Sequence, residues 1–514
     1  MNAIVSALAV EVLPPSLKDN TGDLDRLKKG LAAQLAGQMP LVPFSRLAKV
    51  ADRFRAAGFK GAAIVNDLAG GCELVDFLAE VPPVLPAMAL DLGTTHLEAQ
   101  LIDLLSGEVL ARADLENGQI RYGADILTRI HFAAKDDGLA VLHNEIIACI
   151  NRLAGELAAA ANLPVAQVRA LSVSGNTTMV HFFLKLDPHH LCREPYIPMV
   201  NAPDPCRAGE LGLAIHSAAP VFMLPSVGSY FGGDLISGIL ASRLDQQEHT
   251  SMLIDVGTNA EVIVGNSEWL IACAGAAGPA LEGGVARMGM RAGPGAIEHI
   301  KIDPDSRAIS YSTIGGGRPK GICGSGIIDL VAGLYLSQQI DIRGKLRREA
   351  CGERLIEGRE GVLFVVAPAA ESLDGEPVAL GQVDLDALMR SKAAMYAILT
   401  TLINQVGLSF EQLHRIYVAG AFGRHIDPRQ AIVLGMLPDL PLATYEPVGN
   451  SSLAGARQVL LDKEARLRCC ALIKKITYIE LNVNQEFMIR FSGSRFIPHT
   501  DHTLFPSVPY FEGE

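Results

Sequence analysis

The sequence predicts an α/β protein with a duplicated core, preceded by a small α/β domain. Three observations carry that expectation. The segments Ala89-Leu90-Asp91-Leu92-Gly93-Thr94-Thr95 and Leu253-Ile254-Asp255-Val256-Gly257-Thr258-Asn259 read almost as copies of each other. Each opens a run of three strands followed by helix, so the plan restarts within one chain. From Ala87 onward, strand-like apolar runs alternate with amphipathic helical stretches, the pattern of a layered α/β protein.

Taken in order, residues 1–85 form a separate unit. Leu27–Leu35 reads as a helix after the acidic cap region Asp23–Asp25, Ser45–Phe59 as a second helix and Gly61–Asn66 as a strand. The Pro-rich stretch Val81–Pro86 then reads as a linker. Leu90, Leu97–Ile102 and Val109–Asp114 read as a strand meander with a turn at Ser106-Gly107. Helices are expected over Ile126–Ala134 and Leu139–Ala161, broken by Lys135-Asp136-Asp137-Gly138. Ala170–Ser174 is a strand running into the helix-opening loop Ser174-Gly175-Asn176-Thr177-Thr178. Val221–Leu224 is another, followed by Phe231-Gly232-Gly233-Asp234 and a helix to Ser242.

The second half repeats the plan with strands at Met252–Asp255, Ala260–Val264 and Trp269–Ala272. Gly-rich zones follow at Gly275–Gly295 and Gly315–Gly326, and the mixed run Gly315-Gly316-Gly317-Arg318-Pro319 reads as a tight binding loop. Asp384–Val406 is a long helix, and Arg415–Val418 a strand running into Ala419-Gly420-Ala421-Phe422-Gly423.

The repeated loop has a chemical reading. Its Gly lets the backbone fold sharply and brings N–H groups close to a polyanion. Asp91 and Asp255, each ending a buried strand, suit a hydrated Mg²⁺. Thr94, Thr95, Thr258 and Asn259, with the N–H groups of Gly93 and Gly257, supply donors to phosphate oxygens. Two such loops facing each other would clamp ATP. Gly420 and Gly423 follow a strand as expected where backbone packs flat against adenine or ribose. Asp234, at a helix start after two glycines, is the candidate to orient or deprotonate an attacking water, with a helix cap as the plain alternative. Glu261 and Asn176 are further catalytic candidates.

Composition excludes several classes. The 514 residues are 49% hydrophobic and 19% charged, so the chain is globular and large enough for several domains. A net charge of −12 and only 5% aromatic residues argue against nucleic acid and anionic membranes as partners. Neither a signal pattern nor an apolar run of about 18 residues occurs, so a cytoplasmic protein without a membrane span is expected. The nine cysteines show no Cys-x-x-Cys pair and no ferredoxin-type spacing, so no iron–sulfur cluster is expected on this chain. There is no Gly-x-x-x-x-Gly-Lys-Ser/Thr loop and no zinc pattern. Asp187-Pro188-His189-His190 lacks the downstream Gly of a cobalt-ligating loop and reads as a helix-start cap with exposed histidines.

The order of phosphate loop, Gly-Asp helix, second phosphate loop and Val418–Gly423 resembles the actin, sugar kinase and heat-shock chaperone ATPase superfamily. In that resemblance Phe231–Ser242 and Gly449–Arg457 are two connecting helices, and the fold is a duplicated ribonuclease-H-like, actin-like ATPase core. A closer resemblance spans nearly the whole chain. Asp91–Thr95, Gln119–Asp125, Ser174–Met179, Asp255–Glu261, Gly275–Pro279, Gly321-Ile322-Cys323-Gly324-Ser325-Gly326 and Ile497-Pro498-His499-Thr500-Asp501 look like the ATP-dependent reductive activators of corrinoid proteins. Pro14-Pro15-Ser16-Leu17 with Asp23 and Asp25 is similar to that family's linker start, and residues to about 80 to its middle domain.

The resemblance implies a linker and middle-type α/β domain over 1–85. The two halves of the ATPase core then fall at 86–242 and 243–514, the latter with a C-terminal extension. It implies ATP and Mg²⁺ as cofactors and a corrinoid protein of a methyltransferase system as partner, whose Co(II) is returned to Co(I). A homodimer is implied as well. The family's N-terminal ferredoxin-like domain is not found in this sequence, so either a separate ferredoxin-like protein supplies the electron, or the chain keeps the ATPase and partner-binding parts for another task. Two readings from other classes stay open: a small-molecule kinase, and a non-catalytic nucleotide-dependent binding protein.

Overall fold

Short apolar strands, each bounded by a turn or a helix cap, assemble into five sheets among the residues described by the computed structural model. Those residues are 2–68, 70–257, 259–275, 288–290, 292–358, 361–481 and 484–511, with backbone only at 421, 422 and 424. Thr258 and most of the first Gly-rich zone, 276–287 and 291, lie outside them, as does most of Gly275–Pro279. The chain divides into two compact units, residues 1–241 with 452–474 and residues 242–451 with 475–514.

The first unit opens with β1 (Val5–Glu11), α1 (Asp23–Leu31), α2 (Phe44–Ala56), β2 (Lys60–Leu68) and β3 (Gly71–Leu78). The three strands pair antiparallel in the order β1-β2-β3. Leu27, Leu31, Val50, Phe54, Val65 and Phe77 form their core, with Phe54 edge-on to both Phe59 and Phe77 at 5.0 Å. The sequence pattern foresees both helices and β2 but not β1 or β3. Both flank β2 and depend on its register rather than on a distinctive pattern of their own. Helix α1 starts earlier than expected because Asp23 and Asp25 lie within its first turn, where the helix dipole favours carboxylates.

Then follow β4 (Pro86–Leu92), β5 (His96–Asp103), β6 (Val109–Glu116), α3 (Ile126–Ala133), α4 (Gly138–Ala160), β7 (Leu171–Ser174), α5 (Thr177–Phe183), β8 (Cys206–Arg207), β9 (Pro220–Met223) and α6 (Gly233–Ser242). Their sheet runs β6-β5-β4-β7-β9-β8. The β4-β5-β6 meander is antiparallel, whereas β4, β7 and β9 are parallel. Asp103 shapes the expected turn at Ser106-Gly107, accepting hydrogen bonds from the amides of Leu105 and Ser106 and the Ser106 hydroxyl. Leu142, Ile146, Ile150 and Leu153 of α4 pack on Leu90, Leu97 and Leu101 of the sheet.

The second unit repeats this with β10 (Ser251–Val256), β11 (Ala260–Gly265) and β12 (Leu270–Gly275). It continues through β13 (Ala296–Ile302), β14 (Ile309–Thr313), β15 (Gly321–Ile322), α7 (Gly324–Leu336), α8 (Arg348–Cys351), β16 (Leu355–Gly358), β17 (Gly361–Ala367), β18 (Val378–Gly381) and α9 (Gln382–Gln405). The return to the sheet is β19 (Ile416–Ala419), α10 (Gly420–His425), α11 (Pro428–Leu434) and β20 (Tyr445–Gly449). Last come α12 (Ser451–Leu461), α13 (Lys463–Lys475), β21 (Ile476–Tyr478) and α14 (Gln485–Gly493).

The order β12-β11-β10-β19-β20 reproduces β6-β5-β4-β7-β9, with the same antiparallel meander and parallel return. The core is therefore a duplicated α/β fold, as the repeated loops predict. Two three-stranded sheets, β14-β13-β15 and β16-β17-β18, are additions that the sequence pattern does not anticipate. The run expected as a binding loop, Gly315–Pro319, lies between β14 and β15. It is a turn closed on itself, with Gly315 and Gly316 at φ +82° and +69°. The amide of Gly316 donates to the Thr313 carbonyl, and the Thr313 hydroxyl to the Gly317 carbonyl. Residues 452–474, in α12 and α13, pack with the first unit.

Candidate functional site

In the first unit the three parallel strands β4, β7 and β9 finish at one edge of the sheet, where ligand sites of open α/β sheets form. Asp91, next to last on β4, lies level with Ser174 on β7 and with Glu98 on β5. Three loops leave this edge, and glycines let them touch. A Cβ on Gly93 would stand 2.3 Å from the His96 carbonyl oxygen, one on Gly175 2.7 Å from that of Leu92, and one on Gly232 2.3 Å from the Asn176 Cα. The amide of Gly233 donates to the Gly175 carbonyl at 2.9 Å.

Asn176 ties two of these loops together. Its Oδ1 caps α5 by accepting from the Met179 amide at 2.9 Å, and its Nδ2 donates to Thr94 Oγ1 at 3.0 Å. Asn117, which the sequence reading does not single out, staples the first loop. Its Nδ2 donates to the Gly93 carbonyl and its amide to the Thr95 carbonyl, both at 3.0 Å.

Asp234 belongs to the same edge, since a Cβ on Gly232 would lie 2.6 Å from its Oδ1. It stands inside the first turn of α6 rather than before it, and its Oδ1 accepts from the Leu235 amide at 2.9 Å. Desolvation pushes its carboxyl up to about 6 against the pull of that amide. A carboxylate in that range can take a proton near neutral pH. Asp91, Gly93, Thr94, Thr95, Asn176 and Asp234 are thus gathered at one sheet edge.

Sequence reasoning missed the support beneath them. The Ser452 hydroxyl, at the start of α12, donates to Asp91 Oδ1 at 2.8 Å. Ser174 Oγ lies 2.8 Å from both Ser452 Oγ and Ser237 Oγ of α6. A Cβ on Gly455 would be 2.4 Å from the Ser237 Cα, so α6 and α12 cross at backbone distance. The available signal was Ser172 and Ser174 alternating in a strand whose every residue is buried. The Ser172 hydroxyl donates to the Ala456 carbonyl at 2.6 Å.

In the second unit Asp255 occupies the same place in its sheet. It lies level with Glu261 on β11 and with Ala419 on β19. Glu98 is therefore the counterpart of Glu261, hidden in the sequence because the first loop is one residue longer, with His96 in addition. The amide of Gly257 donates to the Asn259 carbonyl at 2.9 Å, and Asn259 is exposed. Thr258 lies outside the described residues. Gly420, at φ +79°, stands against Asp255: a Cβ there would meet Asp255 Oδ1 at 2.8 Å and the Val256 carbonyl at 2.7 Å. Ser451 Oγ is 3.5 Å from Asp255 Oδ2. Gly423, on α10, is required for a different reason, packing against the Val418 carbonyl of the preceding strand β19, where a Cβ would lie at 2.2 Å.

The first loop therefore offers a strand-end carboxylate with the hydroxyls of Thr94 and Thr95, and the second a strand-end carboxylate with the exposed amide of Asn259. That set fits a nucleotide triphosphate with Mg²⁺, an ion that keeps most of its waters and takes one or two carboxylates plus phosphates. It does not resemble a resident metal centre, and among the described residues no group of three or more His, Cys, Asp or Glu could hold one. Asp187 accepts from the His189 amide at 2.9 Å, but it precedes Pro188, the cap position of a short 3-10 turn that has no side-chain cap, and of the two histidines only His190 is exposed. No described helix is long and apolar enough to cross a membrane.

Residues 249–509 match the family described as the C-terminal domain of RACo, the ASKHA domain. Residues 86–247 match the RACo middle region, and residues 1–80 the RACo linker region. The sequence reading puts a middle-type domain within 1–85, whereas the linker description spans that segment and the middle description begins at residue 86. The chain is 31% identical over 439 residues to the corrinoid activation enzyme RamQ of Eubacterium limosum, covering 84% of this chain and 73% of that protein. It is 27% identical over 421 residues to the Co(II) methylated amine-specific corrinoid protein reductase of Methanosarcina barkeri, covering 76% and 72%. A solved structure of a reductive activator for corrinoid, iron-sulfur protein matches with TM-score 0.93 at 36% identity, over 99% of this chain and 81% of that one. With the family's linker, middle and ASKHA regions matched in order along its length, the chain belongs to the RACo family of reductive activators of corrinoid proteins.

Proposed function

We propose that this chain is an Mg-ATP-dependent ATPase that activates a corrinoid protein of a methyltransferase system by supporting reduction of its Co(II) to Co(I). The electron comes from a separate, ferredoxin-like protein. The observation that carries the ATPase reading is the duplicated strand-end carboxylate, Asp91 with Glu98 level with it and Asp255 with Glu261, each beside a glycine-built loop. Family membership supplies the corrinoid partner.

ATP with Mg²⁺, when bound, supplies the phosphoryl group and the free energy of its hydrolysis. Asp91 and Asp255 orient the hydrated ion. Thr94, Thr95, Thr258 and Asn259 donate to phosphate oxygens beside the N–H group of Gly93, while the Gly257 N–H, held by the Asn259 carbonyl, shapes the second loop. Asp234 accepts the proton of the attacking water, Asn176 holds Thr94 in place, and Glu261 assists at the second loop. Gly420 and Gly423 form the adenosine segment. The turnover drives remodelling of the corrinoid partner. We take 1–85, 86–242 and 243–514 as the working divisions, and the protein as a cytoplasmic homodimer.

The test is ATP hydrolysis by the purified chain with and without a Co(II) corrinoid methyltransferase protein from the same organism, with Co(I) formation followed by absorbance. Supplying a reduced ferredoxin is expected to give Co(I) only when ATP is present, with hydrolysis stimulated by the corrinoid protein. Equal turnover in its absence, with no complex formed, overturns the activator role.

A further inference from the structure

We infer that Ser452 is a positioning residue for Asp91, and that Ser237 and Ser174 complete a directed row of hydroxyl donors ending on that carboxylate. The inference rests on the reading of Asp91 as a residue that orients Mg²⁺, and it extends that reading to α6 and α12. Four oxygens lie in sequence: Ser237 Oγ, Ser174 Oγ, Ser452 Oγ and Asp91 Oδ1, with every step 2.8 Å. They come from α6, the end of β7, the start of α12 and the end of β4. Ser237 and Ser174 are fully buried and Ser452 is 6% exposed.

The direction of the row follows from the chemistry of its members. An ionised carboxylate only accepts, and each serine has one proton to give. Ser452 donates to Asp91, so its own oxygen accepts from Ser174, whose oxygen in turn accepts from Ser237. Each donor in such a row strengthens the next, more so with water excluded. The row thereby fixes the rotamer of Asp91 and delivers the dipoles of three hydroxyls to it. A partner behind a metal-orienting carboxylate sets its geometry and basicity, and losing one lowers metal affinity by about 10–100-fold. The backbone contact of Gly455 with Ser237 holds the two helices in the register the row needs.

The experiment measures the Mg²⁺ concentration for half-maximal ATPase activity at saturating ATP, together with the melting temperature, in the full chain. Ser452→Ala is expected to raise the Mg²⁺ requirement by about tenfold or more, and Ser452→Thr, which keeps the hydroxyl, to restore most of it. Ser237→Ala, at the far end of the row, is expected to give a smaller rise with an unchanged melting temperature. A merely structural role for Ser452 would lower the melting temperature and leave the Mg²⁺ requirement alone. Unchanged Mg²⁺ dependence in both alanine variants, while Asp91→Ala abolishes turnover, overturns the row and spares the ATPase reading. Wild-type turnover in Asp91→Ala overturns the reading of the site itself.

Discussion

Gly420 leaves no room for a side chain beside Asp255: its φ is +79°, and a Cβ would lie 2.8 Å from the carboxylate Oδ1. The turn after β19 therefore sets the position of the second strand-end carboxylate. Gly420→Ala should cost about 1–2 kcal/mol for the left-handed backbone alone. It should also displace Asp255 or the Val256 carbonyl. The expected outcome is a lower melting temperature together with weakened nucleotide binding, measured by calorimetric titration. Binding that stays at wild-type strength would separate Asp255 from the nucleotide.

Asp234 predicts a pH profile. Desolvation raises its carboxyl to about 6, so the proton-accepting form is populated only as pH rises through that value. ATPase activity should climb across the same window, and Asp234→Asn should remove the climb along with most turnover. The stability effect has the opposite sign. A carboxyl raised by folding contributes most below its unfolded value of about 3.9, and that contribution is lost as pH rises through 6. Asp234→Asn should therefore melt higher than wild type at pH 8.

Asp76, 1% exposed on β3, links the N-terminal sheet to the segments that lead into β7 and β9. It pairs with Arg53 and, at 2.8 Å, with Arg169, and His216 Nε2 lies 3.5 Å away. Burial alone would raise its carboxyl. The hydrogen bonds of His216 and Arg169 and the charges of Arg169 and Arg53 outweigh burial and hold it well below the usual carboxylate range. Asp76→Asn leaves Arg169 buried and unpaired, a change that costs about 3–5 kcal/mol. Because the carboxyl is depressed by folding, its contribution is present above about pH 3.9 and lost as pH falls toward its folded value. Denaturant unfolding at neutral and acid pH should show the difference between the two proteins shrinking in acid.

Lys392, fully buried on α9, donates from Nζ to the carbonyls of Phe496 and Pro498 at 2.5 and 2.7 Å. Burial pushes its pKa well below the ordinary lysine value. Lys392→Met keeps the stem but leaves two carbonyls unmet, at about 1–3 kcal/mol each. Amide hydrogen exchange should accelerate over residues 496–501 while the sheet amides of β10 and β19 stay protected.

The separation between what was legible and what was not follows the range of the interactions. Asp91, Gly93, Asp255 and Gly257 could be read directly, because a strand-end carboxylate followed by a tight turn is a local pattern of a few residues. The same holds for the helix opened by Asn176, whose cap partner is three residues away. Glu98 was not legible, since only strand pairing sets it level with Asp91. Asn117 reaches Gly93 across 24 positions, and Ser452 reaches Asp91 across 361. The strands β1 and β3 and the two added three-stranded sheets likewise depend on partners distant in the chain.

By itself the sequence determined the duplicated α/β plan, the two carboxylate loops and the family, because repeated local patterns and their order survive without coordinates. Only the tertiary structure decided which residues stand behind those carboxylates. A buried hydroxyl finds its acceptor through strand register and through the close crossing of α6 and α12, and neither is written in any short stretch of the chain.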